Sequence, residues 1–164
     1  VWNATYMVSG GLSESKAASF ASLFFWGMTI GRISTGFIAD KVGDAFMIRV
    51  GSIALISAII LTPFIPVSYF WIVLLLLGLG CAPFYPMMMH QTPRLYGVDA
   101  SPALIGLQMA SAYAGSTLAP SLFGFISKLS GMWIFPIYLV FFFVILVFST
   151  EKKRSLLSSL GLLK

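Results

Sequence analysis

Charge is what this 164-residue chain has least of. Only 9% of its residues are Asp, Glu, Lys or Arg, against roughly 25% in soluble globular domains. None of its acids falls in the middle of an apolar run. The single cysteine, Cys81, excludes a disulfide framework within the chain. The single histidine, His90, and the absence of any H-x-x-x-H or D-x-x-D cluster leave neither a metal-ligand set nor a nucleophile with its base. A metal centre, a cofactor site and a membrane-embedded enzyme are therefore not expected. Nothing resembles a carbonyl filter or a charged ring, which argues against a channel. There is no basic leader with a cleavage site, so no signal peptide is being mistaken for a span. The net charge of +5 does not make a nucleic-acid binder. That footprint needs basic residues clustered on one exposed face, and here they fall in short connectors. The chain opens at Val1 without a methionine and is expected to be a segment of something longer.

What is abundant is apolar surface: 59% of residues are hydrophobic and 15% aromatic. A soluble fold could not hide this much, so the solvent is lipid. Five runs meet the ~20 residues that a helical span requires, at about 17–39, 46–65, 69–89, 102–127 and 132–150. With no water in the bilayer core the backbone must satisfy itself, so each run is read as a helix and the fold as all-α. Alternate connectors share a side. One side then holds Lys41, Arg49, Arg94, Lys152, Lys153, Arg154 and Lys164, and the other only Lys16 and Lys128. The positive-inside rule puts the first group, and the tail with it, in the cytoplasm. The expected setting is a plasma membrane, the bacterial inner membrane, crossed several times.

The spans differ in texture. Small residues crowd the first (Gly27, Gly31, Ser34, Thr35) and the fourth (Ala110, Ala112, Gly115, Ala119), which suits close helix packing. The second and fifth are bulky and apolar nearly all round, as expected of helices facing lipid. At ~100° per residue, Ser22, Phe25, Trp26, Thr29, Arg32, Ile33, Gly36 and Asp40 occupy about a third of the first helix's circumference. Arg32 therefore faces protein or water rather than lipid. A charge at that depth costs ~2.5–3.5 kcal/mol on insertion scales and is usually paired or functional. Two readings stand for Arg32: a structural one, snorkelling or clamping between helices, and contact with a solute.

The end of that helix, "GFIADKVGD", supplies Gly36, Asp40, Lys41 and Gly43. It resembles the cytoplasmic signature of the major facilitator superfamily, G-x-x-x-D-[RK]-x-G-[RK], with Asp44 in place of the last basic residue. The stretches "FFWGMTIGR", "GLGCAPFYPMMMHQTPRLYG" and "GLQMASAYAGSTLAPSLFGFI" resemble helices eight, ten and eleven of that superfamily's fucose permease-like branch. The resemblance implies helices eight to twelve, plus the tail of seven, of a twelve-helix fold whose N-terminal half is absent from this chain. It further implies transport of a small polar solute, a sugar, by alternating access with proton symport. A facilitator for another solute class, a drug or an organic anion, is the competing reading. The lipid bilayer, the solute, protons and the transporter's own N-terminal half are the implied partners.

Such transporters bind solute near the midplane between two halves. In "CAPFYPMMMH", Pro83 and Pro86 each remove a backbone donor, and Tyr85 between them offers a ring face and a hydroxyl. Gln108, Ser111, Ala112, Gly115 and Ala119 share one face of the fourth span. Gln108 can bond a solute hydroxyl or a neighbouring helix. Trp2, Asn3 and Tyr6 are candidates at the outer end, where an aromatic belt is the alternative. The expected solute contacts are Asn3, Tyr6, Trp26, Tyr85, Gln108 and Ser111. The expected conformational motif is Arg32, Gly36, Asp40, Lys41 and Gly43. His90 is read as a solvated residue at the cytoplasmic edge.

Overall fold

The computed structural model describes residues 2–159, apart from the side chains of Asp40, Glu151 and residues 153–159. Among the described residues it is a bundle of α-helices with no strand: α1 (Trp2–Ser9), α2 (Glu14–Val42), α3 (Asp44–Leu61), α4 (Phe70–Cys81), α5 (Phe84–Tyr96), α6 (Ser101–Ser130) and α7 (Phe135–Ser159). Short 3-10 turns at Val67–Tyr69 and Met132–Ile134 lead into α4 and α7. Three stretches are long and apolar enough to cross a membrane: Asp44–Leu61, Val67–Tyr96 and Met132–Thr150. With 29 and 30 residues, α2 and α6 are about 43 and 45 Å long at 1.5 Å per residue. Their Gly, Ser and Thr content makes them less oily.

Two turns show why the helices end where they do. Gly43 alone separates α2 from α3, at φ 83°, and its N–H closes α2 on the carbonyl of Ala39 at 2.8 Å. A side chain there would be strained. At the end of α5 the sequence pattern places a connector from residue 90, but the helix runs on to Tyr96. Pro93 costs it one hydrogen bond, and the stop comes at Gly97, whose φ is 82°.

Position within the bundle follows from glycine. α4 is the central helix, and at its glycines it meets α2 and α3 at close backbone range. A Cβ on Gly27 would lie 2.5 Å from the Leu75 carbonyl oxygen, and one on Gly78 would collide with the backbone of Phe24 and Met28. On α4's other flank Gly80 meets Leu55 and Gly51. Close backbone approach of this kind drives helix association in lipid, where burying apolar side chains gains little. The second span, α3, is therefore not lipid-facing all round, because Gly51, Leu55 and Ala58 are buried on this side. α7 is the barest of the three apolar stretches: only 6% of its window is buried, against 28% for Asp44–Leu61 and 50% for Val67–Tyr96.

Phe70, Phe123 and Phe135 form a buried aromatic knot with Trp2, Tyr6 and Tyr138 at the opposite end of the bundle from Gly43 and Gly97. Here α6 is held. Trp2 donates from Nε1 to the Pro120 carbonyl at 2.9 Å, and Tyr138 donates to the Ala119 carbonyl at 2.6 Å. Gly124 leaves room for the Trp2 indole. Beyond the knot α6 runs free: every residue from Met109 to Leu118 is exposed.

Candidate functional site: a polar cleft between α5 and α6

α4 and α5 are two halves of one helix, divided at Ala82 and Pro83. Both residues keep right-handed helical angles, so the axis bends without turning back. The N–H that Pro83 lacks would have bonded the Leu79 carbonyl, which lies instead against Gly31 of α2. Pro86 does not make the second break that its spacing suggests. It sits in the first turn of α5, where a backbone donor is unpartnered in any helix.

Past this bend a cleft of about 460 Å³ lies between α5 and α6. Tyr85 and Met88 line it from α5, and Leu107, Gln108, Ser111 and Ala112 from α6. Tyr85 from α5 thus meets Gln108 and Ser111 from α6 at one opening. Gln108 bridges the helices, its Nε2 donating to Thr92 Oγ1 of α5 at 3.0 Å. Ser111 donates its own proton back to the Leu107 carbonyl at 2.8 Å, leaving its oxygen as an acceptor. Thr92 is 1% exposed and lies outside the set read from the sequence. A threonine in a helical run gives no sign of its partner 16 residues away.

The other expected contacts lie elsewhere. Tyr6 is packed between the rings of Phe70 and Phe135, at 5.3 and 5.0 Å, and borders a separate opening of about 400 Å³ with Ser9, Val67 and Trp133. Asn3 is half-buried on the same short helix, and no side-chain hydrogen bond holds it among the described residues. Trp26 is 61% exposed on the outer face of α2, in one stripe with Ser22, Phe25, Thr29 and Ile33. Arg32 shares that exposed stripe and has no ion pair among the described residues. Gly36 faces open space and Lys41 is exposed. The Asp40 side chain lies outside the described residues, so its expected position near the start of α6 does too.

Asp44, the departure from the signature, is 8% exposed at the first turn of α3. Its carboxylate lies 3.0 and 3.3 Å from Nδ1 of His90 on α5. The histidine expected to be merely solvated is therefore tied to a helix 46 residues away. The basic position of the signature has become acidic, and a basic partner has appeared opposite it.

An all-helical membrane bundle, with a bent central helix and a polar cleft beside it, has the architecture of a solute carrier. The profile of the Major Facilitator Superfamily matches residues 2–159, and the chain belongs to that family. It is an integral membrane protein of a secondary-transport family and not of an enzyme family. No curated protein and no solved structure matches the chain significantly.

Proposed function

We propose that this chain forms part of a secondary transporter for a small polar solute, a sugar, and that the α5–α6 cleft is the section of the solute path it supplies. The observation that carries the reading is the convergence of Tyr85, Gln108 and Ser111 on one opening beside the helix bend. A phenol ring with a hydroxyl, an amide and a hydroxyl oxygen suit a solute bearing many hydroxyls. Alternating access needs a second bundle across the path. The exposed stripe of α2 and the exposed middle of α6 support such a partner, the other half of the same transporter. Proton coupling rests on the resemblance to the fucose permease-like branch. No carboxylate or histidine lines the cleft among the described residues. The weight of Lys and Arg in alternate connectors supports a cytoplasmic tail.

The test is uptake by the full-length transporter in proteoliposomes. The probes are labelled L-fucose, D-galactose and D-glucose, set against ethidium and a small aromatic carboxylate. The expected result is saturable uptake of a monosaccharide, with KM raised about 2- to 10-fold by Tyr85→Phe and by Gln108→Ala, the effect of one lost hydrogen bond. Uptake of ethidium or the carboxylate without any monosaccharide would replace the sugar reading with that of a drug or organic-anion facilitator.

A further inference from the structure

We propose that Thr92 is a positioning residue which fixes Gln108 as a hydrogen-bond acceptor toward the solute, so that the solute must present a donor there; the proposal rests on the α5–α6 cleft being the solute path. The reasoning starts from a count of protons. A threonine hydroxyl has one to give. Two acceptors stand near Thr92 Oγ1: the Met88 carbonyl at 2.9 Å and Gln108 Oε1 at 3.5 Å. The nearer one takes the proton, the back-bond to residue i−4 that threonine commonly makes within a helix. With its proton spent, Oγ1 can only accept, and Gln108 Nε2 meets it at 3.0 Å. Turning the amide over would set two oxygen lone pairs against each other unless the hydroxyl gave up its bond to the Met88 carbonyl. Thr92 is 1% exposed, so water has no access to relieve that repulsion, and an unmet polar contact there is costly.

The consequence appears on the cleft side. Gln108 lines the cleft while Thr92 does not, and its Oε1, left without a close donor once the threonine proton has gone to Met88, keeps its lone pairs for the solute. Ser111, one turn along the same helix, has given its proton to Leu107 and likewise offers only lone pairs. Two acceptors on one wall call for hydroxyl or ammonium donors. The second amide hydrogen of Gln108 remains, which suits a hydroxyl, since a hydroxyl both donates and accepts. A carboxylate could accept that amide hydrogen, but it has nothing to give to either oxygen and is repelled by both. Thr92 thereby selects polyhydroxylated solutes over organic anions without touching them.

The test uses the full-length transporter in proteoliposomes. Its probe is the monosaccharide taken up fastest by the unaltered protein, with its monodeoxy and deoxyfluoro analogues. Thr92→Val keeps the shape and removes the hydroxyl; it should raise KM about 2- to 10-fold with kcat unchanged, and Thr92→Ser should restore it. In the unaltered protein one position should tolerate neither the deoxy nor the deoxyfluoro analogue, because fluorine cannot donate. In Thr92→Val that discrimination should shrink toward unity, which a loss of packing alone would not produce. Thr92→Ala should give the same shifts and serves if the valine variant misfolds. An unchanged KM and unchanged analogue ranking in the Thr92 variants, with Gln108→Ala still impaired, would overturn the positioning role and leave the cleft reading intact. A wild-type KM in Gln108→Ala, or no monosaccharide uptake at all, would remove the cleft reading and this proposal with it.

Discussion

A carboxylate that is 8% exposed needs a partner, and Asp44 has one in His90, itself 41% exposed. Removing His90 leaves the charge buried without a donor, a loss of about 1.5 kcal/mol, the lower end for a bond to a charged group because the histidine is half in solvent. His90→Ala should therefore lower the melting temperature of the full-length transporter in detergent, and adding Asp44→Ala should recover part of the loss. Additive losses in that double-mutant cycle would show that the two do not interact. Gly27 is more exacting. A methyl group at 2.5 Å from the Leu75 oxygen must push α2 off α4, so Gly27→Ala should cost about 1–3 kcal/mol as overpacking, read as a lower yield of monodisperse protein. At this scale the sequence was partly legible. Tyr85, Gln108 and Ser111 were visible because polar groups in an oily run are costly and stand out. The His90–Asp44 and Thr92–Gln108 pairs were not, because pairing depends on how separate helices meet.

Among the elements, α6 has two characters. Its far end is held by Trp2 and Tyr138 on consecutive carbonyls, while Met109 to Leu118 touch nothing that buries them. Trp2→Phe and Tyr138→Phe each remove one donor and keep the ring, at ~0.5–1.5 kcal/mol apiece. Hydrogen exchange should then accelerate around residues 116–124 and stay unchanged in α4. Equal protection in variant and parent would mean that the aromatic knot holds α6 by packing alone. The helices themselves were legible from apolar run length, since lipid permits little else. The single bend of the 67–96 helix was less so. Two prolines three residues apart suggest two breaks, yet Pro86 falls in a first turn where its missing donor is not needed. Trp2 was read as a candidate solute contact with an aromatic belt as the alternative, and its bond to Pro120 depends on Gly124 making room 122 residues on.

For the whole molecule the packing is lopsided. α4 is enclosed through glycine contacts, whereas the stripe of Ser22, Phe25, Trp26, Thr29 and Ile33 on α2 and the middle of α6 are bare. Polar and aromatic residues mixed in this way do not suit a lipid-facing surface. Co-expression with the N-terminal helices of the same transporter should protect this chain from proteolysis in the membrane. Equal lifetimes with and without them would count against a second half on these faces. The central claim is that the α5–α6 cleft is the solute path, and cysteine accessibility tests it most directly. In full-length transporter with Cys81 and any other cysteine replaced by serine, Ser111→Cys should react with a membrane-impermeant thiol reagent, and the transported monosaccharide should slow the reaction. A cysteine at this position that no aqueous reagent reaches, or that reacts equally fast with and without the sugar, would contradict the account.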